Sequence, residues 1–284
     1  MRLSKRATWV LRTGVGLGLA FIYIPLIVVG IYAFNASGTT QKWPPPGLTL
    51  DWFPKALEDE SVREAFLTSI EVGLVATVIA MLLGTLASLA VARHRFFGRE
   101  TISFLVILPI ALPGIVTGVA FSNTFTQVLG IDLSLFTVIV GHATFCIVVV
   151  YNNVIARLRR TSASFEEASA DLGADTWQTF RHVTLPTMKT ALVAGGLLAF
   201  ALSFDEIIVT TFTLGAGDET LPIWIFRNLF RPNQLPVVNV VALLVILISI
   251  IPVYLAHRLS TEEGGVTGGK GGGIDVKAEA TAVP

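Results

Sequence analysis

Charge is scarce in this sequence. Asp, Glu, Lys and Arg make up 14% of its 284 residues, where a soluble domain carries roughly 25%. With 53% hydrophobic residues and a mean hydropathy of +0.71, much of the chain must meet lipid rather than water. Acids and bases balance at 20 each, so no overall basic field points to nucleic acid. Cysteine is nearly absent. Cys146 alone excludes an intrachain disulfide and a cysteine-based metal site. The four histidines, His94, His142, His182 and His257, are too dispersed for a metal cluster. His142 and Cys146 lie four apart but have no carboxylate support, and they read as packing. There is no GxxxxGK[ST] phosphate loop. No nucleophile–base pair supports a membrane-embedded enzyme, so no catalytic residue and no metal ligand is assigned.

What the sequence does contain is long apolar runs. A bilayer core needs about 20 apolar residues per helix, and six stretches qualify: 14–34, 66–92, 103–125, 134–155, 190–212 and 236–257. The fold class that follows is all-α and polytopic, with six transmembrane helices. The first run follows Arg2, Lys5, Arg6 and Arg12 like a signal peptide. It is too long for one and no clear small-x-small cleavage site follows, so it reads as an uncleaved span. Lys and Arg set the orientation. With the N-terminus inside, the outer loops hold only Lys42, Lys55, Arg63, Arg227 and Arg231, and the other fifteen fall inside. Both termini are therefore expected in the cytoplasm. The expected division is a cytoplasmic N-terminus over 1–12, a membrane domain over 13–259, and a disordered Gly-rich cytoplasmic tail over 260–284. Span three carries Pro109, Pro113, Gly114 and Gly118. These residues kink or break a membrane helix, and carbonyls freed there must face protein or water. Leu221-Pro222-Ile223-Trp224 and Phe226 suggest an interfacial helix on the outside.

The loop between spans four and five is polar and strongly punctuated. Ser164-Phe165-Glu166-Glu167 fits a capping box, with Ser164 as the cap and Glu167 at the third helical position. Both acids suit a positive helix start. Gly173 is a natural stop. Asp175-Thr176-Trp177-Gln178 repeats the box, and the second short helix is expected to end at Leu185-Pro186. Two short helices set at an angle by a glycine form a knob. A helix lying on headgroups would be rich in Lys and Arg, and this one is acidic.

The spacing Glu167-Ala168-Ser169, Gly173-Ala174, Phe180, Leu185-Pro186 resembles the EAA motif of ABC-importer permeases. Ser169 stands where a second alanine is usual. Tyr23-Ile24-Pro25 with Phe34-Asn35-Ala36-Ser37, His142 to Cys146, and Ser203-Phe204-Asp205-Glu206 through Thr211-Phe212 extend the likeness over most of the chain. Together these segments look like the PotC-type branch of spermidine/putrescine permeases. The resemblance implies the MetI-like, type I permease fold in a bacterial inner membrane, with the 164–186 loop docking on an ATPase. It also implies partners: a pair of cytoplasmic ATPase subunits that hold ATP and Mg, a homologous permease, and a periplasmic or lipid-anchored solute-binding protein. No cofactor is expected in this chain itself.

Asp205 and Glu206 are expected inside the apolar fifth span, where an unpaired charge costs at least ~2.5 kcal/mol. Ser203, Glu206, Thr210 and Thr213 share one helical stripe. Glu206 is thus expected to line a wet pathway with Ser203 and Thr210, and Asp205 to pair inside the bundle, with His142 as its candidate partner. Two readings stand for the acids: negative charge offered to a passing ammonium group, or a polar network between helices. Other small amino compounds are alternative substrates. A competing function is an autonomous ion-coupled transporter using Asp205 or Glu206. It explains the acids but not the knob, and no internal repeat is visible.

Overall fold

The computed structural model describes residues 4–37 and 43–264, with side chains as far as residue 250. Regular structure among these residues is helical, apart from one bridge between Asn35 and Leu48. Span one is α1 (Lys5–Ala33). The short α2 (Trp52–Glu58) leads into α3 (Glu60–Arg93), which is span two. Span three is divided into α4 (Arg99–Ala111) and α5 (Gly114–Asn123). Span four is α6 (Leu135–Arg160). The knob is α7 (Ser164–Asp171) and α8 (Thr176–Thr179). Span five is α9 (Leu185–Phe204), followed by a separate α10 (Ile208–Thr213). Then come α11 (Leu221–Asn228) and α12 (Leu235–Gly264), the last span.

By length and composition, α1, α3, α6 and the continuous helical run Thr176–Phe204 can each cross a membrane. The pair α4–α5, bent by 104°, is a fifth when counted as one broken span. The helix α12, apolar over the shorter stretch Leu235–Ile250, is consistent with a sixth. Helix begins at Lys5, inside the expected N-terminal segment, and α12 continues through Ser260 to Gly264. The rest of the Gly-rich tail lies outside the described residues.

Span three breaks at Leu112-Pro113. Pro113 has no N–H to donate and the residue before it is pushed to extended backbone, as Leu112 is. The Thr117 N–H donates to the Pro113 carbonyl at 3.1 Å and opens the hydrogen bonding of α5. The glycines after the break serve packing. A Cβ on Gly114 would touch Ile208, and one on Gly118 would meet the Phe212 ring at 2.7 Å.

The core is α3 packed on α6 and α9. In lipid no hydrophobic force separates helix from tail, so association rests on close contact between small residues. Helix α3 supplies them in register: Ala76, Ala80, Gly84 and Ser88 recur every four residues and all are buried. At Gly84 a Cβ would sit 3.0 Å from the Ile147 carbonyl oxygen and 3.2 Å from the Tyr151 nitrogen, so the α6 backbone itself fills that space. The Ser88 hydroxyl lies 2.7 Å from the Gly84 carbonyl and 3.1 Å from that of Tyr151. Helix α1 rests on α12 at the edge of the bundle and buries only Ala33.

One end of the bundle collects Arg93, Arg157, Arg159 and Arg160, the last three complementing the C-terminal dipole of α6. The opposite end is closed by α2 and α11. The segment expected as an interfacial helix packs into the protein instead. The Leu221 N–H donates to Ser69 Oγ at 2.7 Å, and Trp224 Nε1 donates to Ser61 Oγ at 2.8 Å. Leu221, Pro222, Ile223 and Trp224 are all buried, and only Phe226 keeps an exposed ring.

Gly84→Val should destabilise the chain by roughly 1–3 kcal/mol, because the Cβ meets backbone that cannot move aside. Gly16→Ala, where nothing lies within 4 Å, should leave the midpoint unchanged. Thermal unfolding of the two variants in detergent checks the contrast.

Candidate functional site

The knob forms at the arginine-rich end, by partly different means from those the sequence suggests. The expected capping box at Ser164 is not made. Ala163 occupies the cap position, and the Ser164 N–H donates to Ser162 Oγ at 3.2 Å instead. The serine pair Ser162–Ser164 offers two local acceptors, and the nearer turn wins. The stop is as expected. Gly173 has φ +85°, its N–H donates to Ala170 O, and the Ala174 N–H donates to Ser169 O. That is a Schellman ending, which needs the left-handed residue that glycine supplies. The second box also forms: Gln178 N–H donates to Asp175 Oδ1 at 2.8 Å, and Asp175 N–H to Gln178 Oε1 at 2.9 Å.

The proline does not end the second helix. From Thr176 the chain stays helical to Phe204. A π-turn over Phe180–Thr184, closed by Leu185 N–H to Phe180 O, precedes Pro186 in the first turn of α9. The widened turn removes the clash of the proline ring with the carbonyl one turn back. The knob's second helix is therefore the start of span five.

The residues singled out by the sequence fall into two sets. Glu167, Ala168, Gly173 and Pro186 are exposed, beside three exposed apolar side chains, Phe165, Leu172 and Trp177. Ser169, Ala174 and Phe180 are half-buried and build the knob. Ser169 Oγ meets Thr179 Oγ1 at 3.0 Å, and Phe180 stacks on Trp177 while packing on the core. Leu185 lies at the edge, 36% exposed.

Arg93 was legible only as one more inside charge. Its Nε lies 2.9 Å from Glu166 Oε2 and donates to Oε1 at 3.1 Å. Thr184 Oγ1 donates to Glu166 Oε1 at 3.0 Å, and Arg93 Nη1 reaches the Leu158 carbonyl at 3.4 Å. The two residues lie 73 positions apart, so no local pattern could have paired them.

At the other end of span five the sequence expected a continuous helix through the acidic pair. Helix α9 stops at Phe204, with Asp205 as its C-cap, and α10 starts at Ile208. The break exchanges the roles assigned to the two acids, because a helical projection fails where the helix does. Glu206 is half-buried and caps α10: its Oε1 accepts the Val209 N–H at 2.8 Å, and its carbonyl accepts Thr210 Oγ1–H at 2.8 Å. Asp205 is exposed. It is the ionisable residue lining a cleft of about 290 Å³ walled by Phe204, Ile207, Leu221, Pro222, Ile225, Phe226, Leu229 and Val245.

His142 partners neither acid. Its Nδ1 and Nε2 lie 2.8 Å from Ser203 Oγ and Thr210 Oγ1. The single Thr210 proton goes to the Glu206 carbonyl, so Thr210 accepts from His142 Nε2–H, and Nδ1 accepts from Ser203. One imidazole thereby ties both sides of the break. Ser203 and Thr210, placed by the sequence on a wet stripe, are buried in this network. Thr137 Oγ1 adds a 2.6 Å bond to the Thr213 carbonyl, and the Cys146 thiol donates to Ala199 O.

A membrane-spanning helical bundle with a helical knob at its arginine-rich end and a polar break in the span above it is the architecture of a MetI-like membrane permease, a non-catalytic transport subunit. Residues 78–261 match the family described as binding-protein-dependent transport system inner membrane component, and the chain belongs to that family. It is a multi-pass inner-membrane component that works with a binding protein. It is 32% identical over 236 residues to the putrescine transport system permease protein PotI of Escherichia coli K12, covering 81% of this chain and 83% of that one. It is 30% identical over 258 residues to the spermidine/putrescine transport system permease protein PotC of Shigella flexneri, covering 91% and 94%. A putative 2-aminoethylphosphonate transport system permease protein, PhnV of Salmonella paratyphi A, is 31% identical over 82% of this chain and 86% of its own length. Among solved structures, a bacterial ABC transporter for the acidic polysaccharide alginate shares the fold at TM-score 0.67 and 20% identity, covering 92% and 98%. The MetNI methionine ABC transporter does so at 0.58 and 18%, covering 75% and 97%.

His142→Ala should leave the Ser203 and Thr210 hydroxyls without their shared partner and lower stability by roughly 1–3 kcal/mol. Thermal unfolding in detergent reads the loss, and His142→Gln, which retains a donor and an acceptor, should recover part of it.

Proposed function

We propose that this chain is the permease subunit of an ATP-driven importer for a small cationic amino solute of the spermidine/putrescine kind. The observation that carries the reading is Asp205. An exposed carboxylate sits in an apolar and aromatic cleft, at a helix break, on the same span that begins as the knob. A carboxylate among aromatic rings suits an alkylammonium, which takes the charge at one end and the ring faces along its methylenes. The named relatives support the class, since they carry putrescine, spermidine or, in one case, an aminoalkyl phosphonate.

The knob, residues 164–186, is the coupling element. Its exposed face mixes Glu167 with Phe165, Leu172 and Trp177, a combination that fits a partner's cleft better than a headgroup layer. That partner is a pair of cytoplasmic ATPase subunits holding ATP and Mg. The Lys and Arg asymmetry puts the knob and both termini in the cytoplasm. A homologous permease completes the path, and a periplasmic or lipid-anchored binding protein delivers the solute to the end closed by α2 and α11. Nucleotide-driven closure of the ATPases displaces the knob and switches the spans between inward- and outward-open states. An ion-coupled transporter would leave the knob without a purpose.

Reconstituted with its permease partner, ATPases and binding protein, the chain should import radiolabelled spermidine or putrescine only with ATP. Asp205→Asn should cut uptake by about tenfold or more, the size of a lost charge-assisted contact, while Glu206→Gln acts mainly on stability. Gly173→Arg, forced into left-handed backbone, should abolish ATPase association. Uptake by the lone chain under an ion gradient without ATP would sink the proposal.

A further inference from the structure

Glu166 and Arg93 form a contact that fastens the knob to the ends of three spans at once, and it is absent from the sequence motif that defines the knob. Among the described residues, helix α7 is also joined to the protein by the 161–163 connection, by the Gly173 turn, by the Ser169–Thr179 contact and by packing against α8 and the 180–184 turn. The Glu166 carboxylate takes Arg93 from the end of α3 and Thr184 from the π-turn that opens span five. Arg93 then reaches the Leu158 carbonyl near the end of α6. The pair is largely shielded, with side chains 16% and 22% exposed. A shielded pair differs from a surface ion pair, because removing either partner strands the other's charge.

We propose that the Arg93–Glu166 pair is a latch that makes the knob one rigid body with spans two, four and five. A push on the knob then moves the spans instead of bending the chain at Gly173. This rests on the reading of 164–186 as the ATPase-coupling element. It adds that force enters α3 and α6 directly as well as through the continuous helix into α9. Arg93 is thus a positioning residue, and its role shows in coupling and not only in stability.

The test uses the full complex, with cysteines placed at Ala170 on the knob, apart from the residues assigned to the ATPase contact, and at Leu86 on α3, both exposed. Cys146 is buried and stays unlabelled. Spin labels at the two sites report the knob-to-span distance with and without ATP and vanadate, whatever the solute. With the latch intact the distance distribution should not change on ATP. In Arg93→Gln and in Glu166→Gln it should shift by several ångströms or broaden. In the same complexes, ATP hydrolysed per spermidine or putrescine imported should rise by about fivefold, the low end of a typical coupling energy. The double variant, which leaves no stranded charge and keeps two amides, should fold as well as either single variant. It should uncouple to the same extent as each, since residues of one pair do not add. If both single variants keep a fixed distance and full coupling, or if their losses add in the double variant, the latch is wrong. A wild-type complex that recruits no ATPase would instead overturn the coupling reading, and the latch with it.

Discussion

A membrane offers no water to satisfy a free N–H or carbonyl, so every departure from helix inside it must be repaired by protein. The two breaks in this bundle show how the sequence meets that demand. At Leu112-Pro113 the proline removes a donor, and the helix restarts at once with the Thr117 N–H on the Pro113 carbonyl. At Asp205–Ile207 the repair is larger. Glu206 caps the helix that resumes, Thr210 covers the Glu206 carbonyl, and His142 holds Ser203 and Thr210 from across the bundle. The two breaks then pack together, since Gly114 and Gly118 admit Ile208 and Phe212 of α10. A polar residue deep in an apolar span is tolerable only in such a closed network. Asp205, left out of it, is free to face the cleft.

The same shortage of polar contacts dictates how the spans meet. Lipid tails are as apolar as leucine, so close backbone approach replaces hydrophobic burial as the main source of helix association. Helix α3 carries that role through Ala76, Ala80, Gly84 and Ser88. Its large residues, including Leu74, Leu82, Leu83 and Leu86, point outward. An inverted pattern of this kind, small inside and large outside, marks a helix that serves its neighbours on one side and lipid on the other.

Much of this was legible in advance. Apolar run length gave an all-helical membrane chain, and the spacing around Gly173 gave the knob, because both depend on local chemistry that one stretch of sequence contains. The Asp175–Gln178 box and the glycine stop are of that kind. The failures have a common cause. The Ser164 cap lost to a neighbouring serine with equal local claims. Pro186 was read as a terminus because a π-turn leaves no mark in composition. The acidic pair was assigned by a helical projection carried across a break, which rotates every later residue out of phase. His142 and Arg93 find their partners 61 to 73 positions away, a distance at which only the packed bundle decides.

The continuity of Thr176–Phe204 ties these elements into one device. If Pro186 ended the second knob helix, a swivel would separate the knob from span five, and motion at one end would dissipate there. The π-turn instead carries the helix through the proline without a gap, and Glu166 holds the same turn through Thr184. The far end of that rod is the break at Asp205, where α9 gives way to α10 and His142 bridges the two. On the proposed coupling role, a displacement of the knob would reach the break beside Asp205 without crossing a gap in the helix. The polar network around His142 holds the two sides of that break together, since Ser203 and Thr210 both lie within reach of one imidazole.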